Sequence, residues 1–261
     1  MALLALATGI CACSPSRPKQ PLDTPKPVVD RLGNLRHYRL FLPGLDRAPW
    51  PLLVYFHGVR SPQFKKIPTL RHYTGSPIEE TGLIDFCRAN GIALLVPEAF
   101  YEYTFLGCLS RGWVIDKELD GVEKMIDQVA AEFDISRPEI YLAGISAGAV
   151  FGHFLANHRP EFYAGLISHS QAYIDADHQL LEPSRPGPQF GVLFCYNQDD
   201  YPELIDFCTA SEKIYHGRGY RTALLGDLRP PGHQWSAINN RRLWRRLKSI
   251  ARPVQRPGAS G

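Results

Sequence analysis

The feature that most constrains the fold of this chain is a series of short apolar runs that alternate with helical patterns. Residues 51–56 (PLLVYF) and 92–96 (IALLV) are apolar throughout, which is typical of strands buried on both faces of a sheet. Residues 116–133 carry apolar side chains at helical spacing, so we expect a helix that buries one stripe. The same patterns predict further strands at 36–42, 139–143, 164–167, 191–195 and 222–225, and further helices at 78–89, from Ala147 and at about 236–250. Strand and helix in alternation predict an α/β fold, with a mostly parallel central sheet and helices on both faces.

Composition divides the chain into one folded domain and its flanking segments. A length of 261 residues suits a single large domain, which we assign to 31–251. Residues 14–30 contain five prolines among polar residues, so they cannot form a helix and are expected to be a semi-rigid tether. Residues 252–261 have a similar composition and are expected to form a flexible tail.

Residues 1–13 are predicted to be an export leader. The apolar run is shorter than the about 20 residues needed to cross a bilayer, so a secretory signal suits it better. The segment ICAC resembles the lipobox of bacterial lipoproteins, with Cys13 as the lipidated residue and Cys11 as a weaker alternative. We therefore expect a periplasmic or cell-surface protein that contacts a membrane only through an N-terminal lipid anchor. No Lys or Arg precedes the run, which leaves an uncleaved N-terminus as the alternative.

Charge and cysteine content argue against several classes of partner. The net charge of +3, from 29 basic and 26 acidic side chains, is too small to indicate nucleic-acid binding. Cys87, Cys108, Cys195 and Cys208 have no metal-binding spacing, among themselves or with histidine, so no metal is expected. In an oxidising compartment these cysteines permit two disulfides, and buried free thiols are the equal alternative.

The segment 144–148 (GISAG) carries the strongest functional signal. It lies between the apolar run EIYLA and the helical run AVFGHFLAN, where a strand turns into a helix. Such a turn holds Ser146 in a strained backbone conformation and brings neighbouring chain too close for side chains at Gly144 and Gly148. It also points the Ser146 hydroxyl out of the sheet, above a helix N-terminus. Ser146 is therefore the predicted nucleophile, and a purely structural glycine-rich turn is the alternative.

The nucleophile needs a base and an acid, because a serine hydroxyl reacts well only when a base takes its proton. In this architecture the acid and then the histidine follow the serine along the chain. His233 follows the predicted strand at 222–225, in the loop RPPGHQW, and is the predicted base. Asp199 and Asp200 both follow the strand at 191–195. We choose Asp199 as the acid and keep Asp200 as the alternative, since one of the two is expected to cap the next helix.

Negative charge on a reacting carbonyl oxygen needs N–H groups aimed at it, an arrangement called an oxyanion hole. Ala147, directly after the nucleophile, is one predicted backbone donor. Val59, in the loop after LLVYFHG, is the second. His57 is expected to support this loop by hydrogen bonding rather than to transfer protons.

Taken together, these motifs resemble one branch of a known superfamily. LLVYFHG, LLVPEA, GISAGA, the strand ending in NQDD, and PGHQW are similar to the polyhydroxybutyrate depolymerase and feruloyl esterase branch of the α/β-hydrolases. The resemblance covers about 31–251. It implies ester hydrolysis without a cofactor, by Ser146, Asp199 and His233, often in a secreted protein. Two segments depart from the family pattern: VRSPQ follows HG where more glycine is common, and NQDD replaces the usual HGTxD.

Aromatic residues after the predicted strands could form a pocket for an apolar or aromatic acyl group. The predicted substrate-binding residues are Tyr101, Trp113, Tyr173 and Trp235, with core packing as the alternative for each. Residues 60–75 form an irregular stretch that could cover the site, and its basic side chains would favour anionic substrates. The predicted function is hydrolysis of a small-molecule or polymer carboxylic ester. The alternatives are a serine peptidase of the same fold and a non-catalytic surface binding protein.

Overall fold

A β-sheet with helices on both faces forms the body of the protein. The computed structural model describes residues 27–44, 48–67, 73–187 and 189–253. The predicted leader, with Cys13, lies outside the described residues, as do most of the tether and most of the tail. In chain order the strands are β1 (Val28–Val29), β2 (Leu35–Arg36), β3 (Tyr38–Phe41), β4 (Trp50–Phe56), β5 (Ala93–Pro97), β6 (Glu102–Phe105), β7 (Cys108–Arg111), β8 (Ile135–Ile145), β9 (Gly165–His169), β10 (Gly191–Asn197) and β11 (Arg221–Leu228). The α-helices are α1 (Ile78–Thr81), α2 (Leu83–Ala89), α3 (Ile115–Glu132), α4 (Ala147–His158), α5 (Pro202–Gly217) and α6 (Asn240–Ile250).

Seven of the described strands form the central sheet, in the order β11-β10-β9-β8-β4-β5-β3. Neighbouring strands pair in parallel, except that β3 runs antiparallel to β5 at one edge. Parallel neighbours need crossover connections, and helices supply them here except between β9 and β10, where the described residues of the connection form no helix. The predicted α/β fold with a mostly parallel sheet is confirmed.

The two faces of the sheet pack against different helices. On one face Leu52, Val54 and Phe56 of β4 join a buried cluster with side chains of α3, α4 and α5. On the other face Leu53 and Tyr55 join a cluster with side chains of α2 and α6. Because successive side chains of a strand point to opposite faces, β4 must be apolar at every position to be buried on both.

The first described residues belong to the folded domain, which corrects the predicted tether boundary. β1 pairs with β2, with Val28 opposite Arg36. The buried Arg36 guanidinium contacts Glu118 of α3 at 2.5 Å and Asp30 at 3.5 Å. Removing one partner of such a buried ion pair costs about 3–5 kcal/mol, so this cluster holds the start of the domain against α3.

Two local features differ from the sequence predictions. The predicted helix at 78–89 is interrupted at Gly82, which has a φ of 65° and separates α1 from α2. A Cβ at this position would lie 2.4 Å from the Cβ of Ala237, so the close contact also requires glycine. In addition, β6 and β7 form an antiparallel hairpin that was not predicted.

The cysteines of the described ranges are buried free thiols, so the free-thiol alternative describes them and the disulfides do not form. Burial raises the pKa of the Cys208 thiol to about 12, which makes this group a poor nucleophile at neutral pH. None of the helices in the described part of the chain has the length and apolarity needed to span a bilayer.

Candidate active site

Ser146 forms the sharp turn between β8 and α4, with φ of 55° and ψ of −127°. Such a conformation costs a non-glycine residue about 1–3 kcal/mol and persists only when its surroundings impose it. The flanking glycines explain how the turn fits. A Cβ at Gly144 would lie 2.3 Å from the carbonyl oxygen of Gly148, and a Cβ at Gly148 would lie 2.3 Å from that of Phe56. The turn therefore presents Ser146 at the C-terminal edge of the sheet, as the motif predicts.

His233 lies at the same edge of the sheet and pairs with a carboxylate. Its Nδ1 is 2.9 Å from Oδ1 of Asp200, which is a buried residue. The Ser170 hydroxyl donates to the other carboxylate oxygen, and the Tyr201 N–H donates to Oδ1 at 2.8 Å. Burial alone would raise the pKa of Asp200, but these hydrogen bonds and the nearby imidazole hold it below its ordinary value. Asp200 is therefore ionised at neutral pH and can fix the orientation of His233.

The carboxylate that contacts His233 is that of Asp200 and not that of Asp199, which was the predicted partner. The physical reason is the turn that follows β10. Asp199 has a φ of 55°, in the left-handed region, and the Asp200 N–H donates back to the Asn197 carbonyl at 3.3 Å. This turn leaves Asp199 exposed and directs Asp200 inward.

The loop that carries His233 is fixed by the end of β10. The buried Asn197 amide donates to the carbonyls of Gly232 and Gln234 at 2.7 and 2.6 Å. The Gly232 N–H in turn donates to the Gln198 carbonyl at 2.7 Å. Sequence reasoning missed Asn197 and Ser170. Asn197 opens the NQDD segment, and its position at the end of an apolar strand was the available signal.

Tyr73 lies between Ser146 and His233 and is the third residue that sequence reasoning did not single out. A Cβ at Gly58 would lie 2.5 Å from the Tyr73 hydroxyl oxygen and 3.3 Å from the Ser146 Cβ, so the hydroxyl lies beside Ser146. Its ring centroid is 5.2 Å from that of His233. One half-buried tyrosine therefore lies beside both Ser146 and His233. Tyr73 belongs to the irregular stretch 60–75 that was expected to cover the site.

The predicted oxyanion donors lie on the Ser146 side of the site. Ala147 is the first residue of α4, so its N–H has no acceptor within the helix. Val59 is buried. Burial raises the pKa of the neighbouring Tyr73 phenol above its ordinary value, and contacts with the Ser146 side chain and the Val59 backbone offset this rise only in part.

The loop that carries Val59 is held by His57. Its Nδ1 is 2.6 Å from the Gly58 carbonyl, and its own carbonyl accepts from the Trp113 indole at 2.8 Å. Burial, with a contribution from the Arg60 charge, lowers the pKa of His57 to about 3, so the ring is neutral. A neutral, fully engaged imidazole fits the predicted supporting role.

None of the four aromatic residues predicted to bind substrate lines either of the two clefts that open beside Tyr73. Trp113 is buried and stacks on Phe151 with a centroid distance of 4.6 Å. Trp235 is buried and donates from its indole to Asn240 at 2.8 Å. The other two also make packing contacts: Tyr101 accepts from Asn34 at 3.2 Å, and Tyr173 stacks on His153 at 5.8 Å. All four side chains thus make the packing contacts that were the alternative for each, and their role in substrate binding stays a prediction.

Two clefts open beside Tyr73, which lines both, and His233 lines one of them. One has a volume of about 520 Å³, and the other of about 570 Å³. The first is lined by charged side chains, which are Arg60, Lys65, Glu80, Glu102 and Arg111, together with smaller polar and apolar residues. The second is lined by Asp199, Tyr201, His233 and Gln234 with Pro231 and Gly232. Within the described ranges, no group of three metal-binding side chains is close enough to hold a metal ion.

Comparison with known proteins gives matches in structure but not in sequence. No protein-family model and no curated protein matches the chain. It superposes on a thermostable esterase with a TM-score of 0.58 and 18% identity, over 88% of this chain and 63% of the esterase. A ferulic acid esterase gives 0.59 and 12%, over 89% of this chain and 98% of the other. The S-formylglutathione hydrolase FrmB of Staphylococcus aureus gives 0.56 and 14%, over 87% and 97%.

At sequence identities of 12–18%, structural similarity establishes the fold of the chain. The chain has the α/β-hydrolase fold, with its mostly parallel sheet and the strand-turn-helix at Ser146. It spans 63% of the length of the thermostable esterase and nearly the full length of the other two proteins.

Proposed function

We propose that this chain is a serine hydrolase that cleaves carboxylic esters through an acyl-enzyme. Ser146 is the nucleophile, His233 the base and Asp200 the acid that orients the base. The observation that carries the proposal is the strained Ser146 turn at the same sheet edge as the buried His233–Asp200 pair. A glycine-rich turn that only packs a strand onto a helix would not require a buried carboxylate–imidazole pair beside it, so the pair argues against this alternative. This pair also argues against the binding-protein alternative.

The chemistry follows from these roles. The His233 Nε2 takes the Ser146 proton as the serine oxygen bonds to the ester carbonyl carbon, and the carbonyl electron pair moves onto its oxygen. Asp200 stabilises the imidazolium that forms. The imidazolium then gives its proton to the leaving alcohol as the tetrahedral intermediate collapses to the acyl-enzyme. Water, activated by the same imidazole, releases the acid and restores Ser146.

The clefts narrow the class of substrate. The charged lining of the first cleft holds three basic and two acidic side chains, which leaves one net positive charge. This lining supports an ester that carries a polar or anionic group more than a long aliphatic ester. Two of the structural neighbours are named esterases, and a third is named an S-formylglutathione hydrolase. These names support hydrolysis of an acyl compound in general.

The test is hydrolysis of p-nitrophenyl acetate and p-nitrophenyl butyrate by the wild type and by Ser146→Ala. Loss of the nucleophile should lower kcat by about 10⁴- to 10⁶-fold. A fluorophosphonate probe, followed by peptide mapping, should label Ser146 in the wild type and label nothing in the variant. Wild-type activity no greater than that of Ser146→Ala would exclude this function.

We also propose that the protein is exported and anchored through Cys13. The apolar run and the ICAC segment at the N-terminus support this proposal. Intact-mass analysis of protein isolated from its native host should show a chain that begins at Cys13 and carries lipid. A mass that retains Met1 would contradict it.

A further inference from the structure

His169 is the last residue of β9, directly before Ser170, and its side chain is buried. Its Nδ1 is 2.8 Å from the Ser170 hydroxyl oxygen. The Ser170 hydroxyl donates to Oδ2 of Asp200, and Oδ1 of the same carboxylate is 2.9 Å from Nδ1 of His233. These four side chains therefore form one continuous row of hydrogen bonds, with His169 at one end and the proposed base, His233, at the other.

The number of protons in this row determines which nitrogen of His169 carries one. A serine hydroxyl has a single proton, and an ionised carboxylate can only accept. The Ser170 proton lies in the bond to Asp200, so the bond between His169 and Ser170 needs a proton from the ring. Burial lowers the pKa of His169 to about 4, so the ring is neutral at neutral pH and its one proton is on Nδ1.

Packing alone does not account for an imidazole at position 169. The ring lies against the buried Trp235, with a centroid distance of 5.3 Å. Its Nε2 is buried and has no hydrogen-bond partner in the part of the chain that the structure describes. A phenyl ring would make the same packing contact without a buried, unpaired nitrogen, which is unfavourable. What the imidazole adds is its hydrogen bond to Ser170.

This hydrogen bond matters to the carboxylate because a serine hydroxyl can rotate. A donor from His169 to the hydroxyl oxygen favours the orientation in which the Ser170 proton points at Asp200. Consecutive hydrogen bonds also strengthen one another, so the His169 N–H makes the Ser170 hydroxyl a better donor. The carboxylate is then held at Oδ2 by Ser170 and at Oδ1 by the Tyr201 N–H, at 2.8 Å, which keeps it from turning away from His233.

We propose that His169 is a positioning residue for ester hydrolysis: its Nδ1–H orients the Ser170 hydroxyl, which in turn holds Asp200 toward His233. This inference rests on the proposed function. His169 lines neither of the clefts beside Tyr73, so its loss should lower kcat and leave KM nearly unchanged. Because His169 acts through Ser170, loss of both side chains should be no worse than loss of Ser170 alone.

The decisive comparison is His169→Asn with His169→Gln, in hydrolysis of p-nitrophenyl acetate. An asparagine amide can place an N–H where Nδ1 lies, whereas a glutamine amide places it where Nε2 lies. His169→Asn should keep most of the wild-type kcat, and His169→Gln should lose about tenfold, the effect of one hydrogen bond. A purely structural role predicts the opposite order, because asparagine leaves the larger cavity.

A double-mutant cycle with His169→Phe and Ser170→Ala gives a second test. Each variant should lower kcat, and the double variant should match Ser170→Ala. His153→Phe is the matched control, since this buried imidazole bonds to Tyr215 at 3.0 Å and to Ser168 at 2.9 Å, away from the carboxylate. It should destabilise the protein in urea unfolding at least as much as His169→Phe, and leave kcat nearly unchanged.

Equal kcat in His169→Asn and His169→Gln would overturn the proposal, as would a double variant slower than Ser170→Ala by the full effect of His169→Phe. Failure of the wild type to exceed Ser146→Ala would instead remove the proposed function, and proton NMR would then test the positioning by itself. The His233 Nδ1–H resonates far downfield when it is bonded to a carboxylate. This signal should stay sharp in His169→Asn and be broadened by exchange in His169→Gln, and equal signals would overturn the proposal.

Discussion

Replacing Asp200 by Asn tests the assignment of the acid most directly, and Asp199→Asn is its matched control. The two carboxylates are neighbours in the chain, and only Asp200 contacts His233, at 2.9 Å. Asp200→Asn keeps the size of the side chain and removes its charge. An amide can turn its NH₂ toward Nδ1, which stabilises the tautomer with the proton on Nε2. That tautomer cannot accept the Ser146 proton.

The size of the effect follows from what Asp200 does. Loss of the correct tautomer in a serine-histidine-aspartate site lowers kcat by about 10⁴-fold, so we expect a loss of this order for Asp200→Asn. The carboxylate also accepts from the Ser170 hydroxyl and the Tyr201 N–H, and an amide has only one accepting oxygen. One buried donor then loses its partner, which costs about 1–3 kcal/mol of stability. Asp199 is exposed and lines the second cleft without contacting His233, so Asp199→Asn should change kcat by at most about tenfold, far less than Asp200→Asn.

The assay is steady-state hydrolysis of p-nitrophenyl acetate at pH 7.5, with urea unfolding of each variant to separate activity from stability. Fluorophosphonate labelling should be slow in Asp200→Asn and normal in Asp199→Asn. The reasoning fails if Asp199→Asn is the more damaged variant, or if folded Asp200→Asn keeps more than a tenth of wild-type kcat.

Two further predictions concern stability. Burial lowers the pKa of His57 and His153 to about 3 and of His169 to about 4, so below pH 6.5 the unfolded chain takes up protons that the folded chain does not. The free energy of unfolding should therefore fall by about 1 kcal/mol for each of these histidines between pH 7.5 and 5.5. Urea unfolding of His153→Gln should show a loss about one third smaller than that of the wild type. The same pH dependence in the variant and the wild type would contradict this prediction. Gly148→Ala should destabilise by about 1–3 kcal/mol or prevent folding, since its Cβ would lie 2.3 Å from the Phe56 carbonyl oxygen. A Cβ at Gly217 would have no atom within 4 Å, so Gly217→Ala should be neutral or slightly stabilising. Thermal melts of the two glycine variants would measure this difference.

The sheet and its strand-turn-helix could be predicted because each rests on a local pattern. A strand buried on both faces must be apolar throughout, as residues 51–56 are. The turn at Ser146 requires glycines at fixed positions, which the sequence displays. His233 could be assigned from chain order, because the order of strands determines which loops reach the edge above Ser146.

The remaining residues of the site depend on information that no local pattern contains. Asp199 and Asp200 follow the same strand, and the choice between them rests on one dihedral angle, the φ of 55° at Asp199. Trp113 and Trp235 follow strands as pocket residues do, but the Trp113 indole donates to the carbonyl of His57, which is distant in the sequence, and the Trp235 indole donates to Asn240 at the start of α6. Tyr73 lies in an irregular stretch, where side-chain direction cannot be derived from periodicity.

The end of β9 connects the proposed nucleophile, Ser146, to the proposed acid, Asp200. The Ser146 N–H donates to the carbonyl of His169 at 2.9 Å, and the hydroxyl of the next residue, Ser170, donates to Asp200. Because these two residues are adjacent in the chain, a single peptide unit fixes how far the Ser146 turn lies from the carboxylate. Asp200 and Asn197, at the end of the neighbouring strand β10, then hold His233 and its loop. The pairing of neighbouring parallel strands thus sets the positions of Ser146 and His233 relative to each other. A shift in the pairing of β9 with either neighbour would therefore separate His233, the proposed base, from the Ser146 hydroxyl.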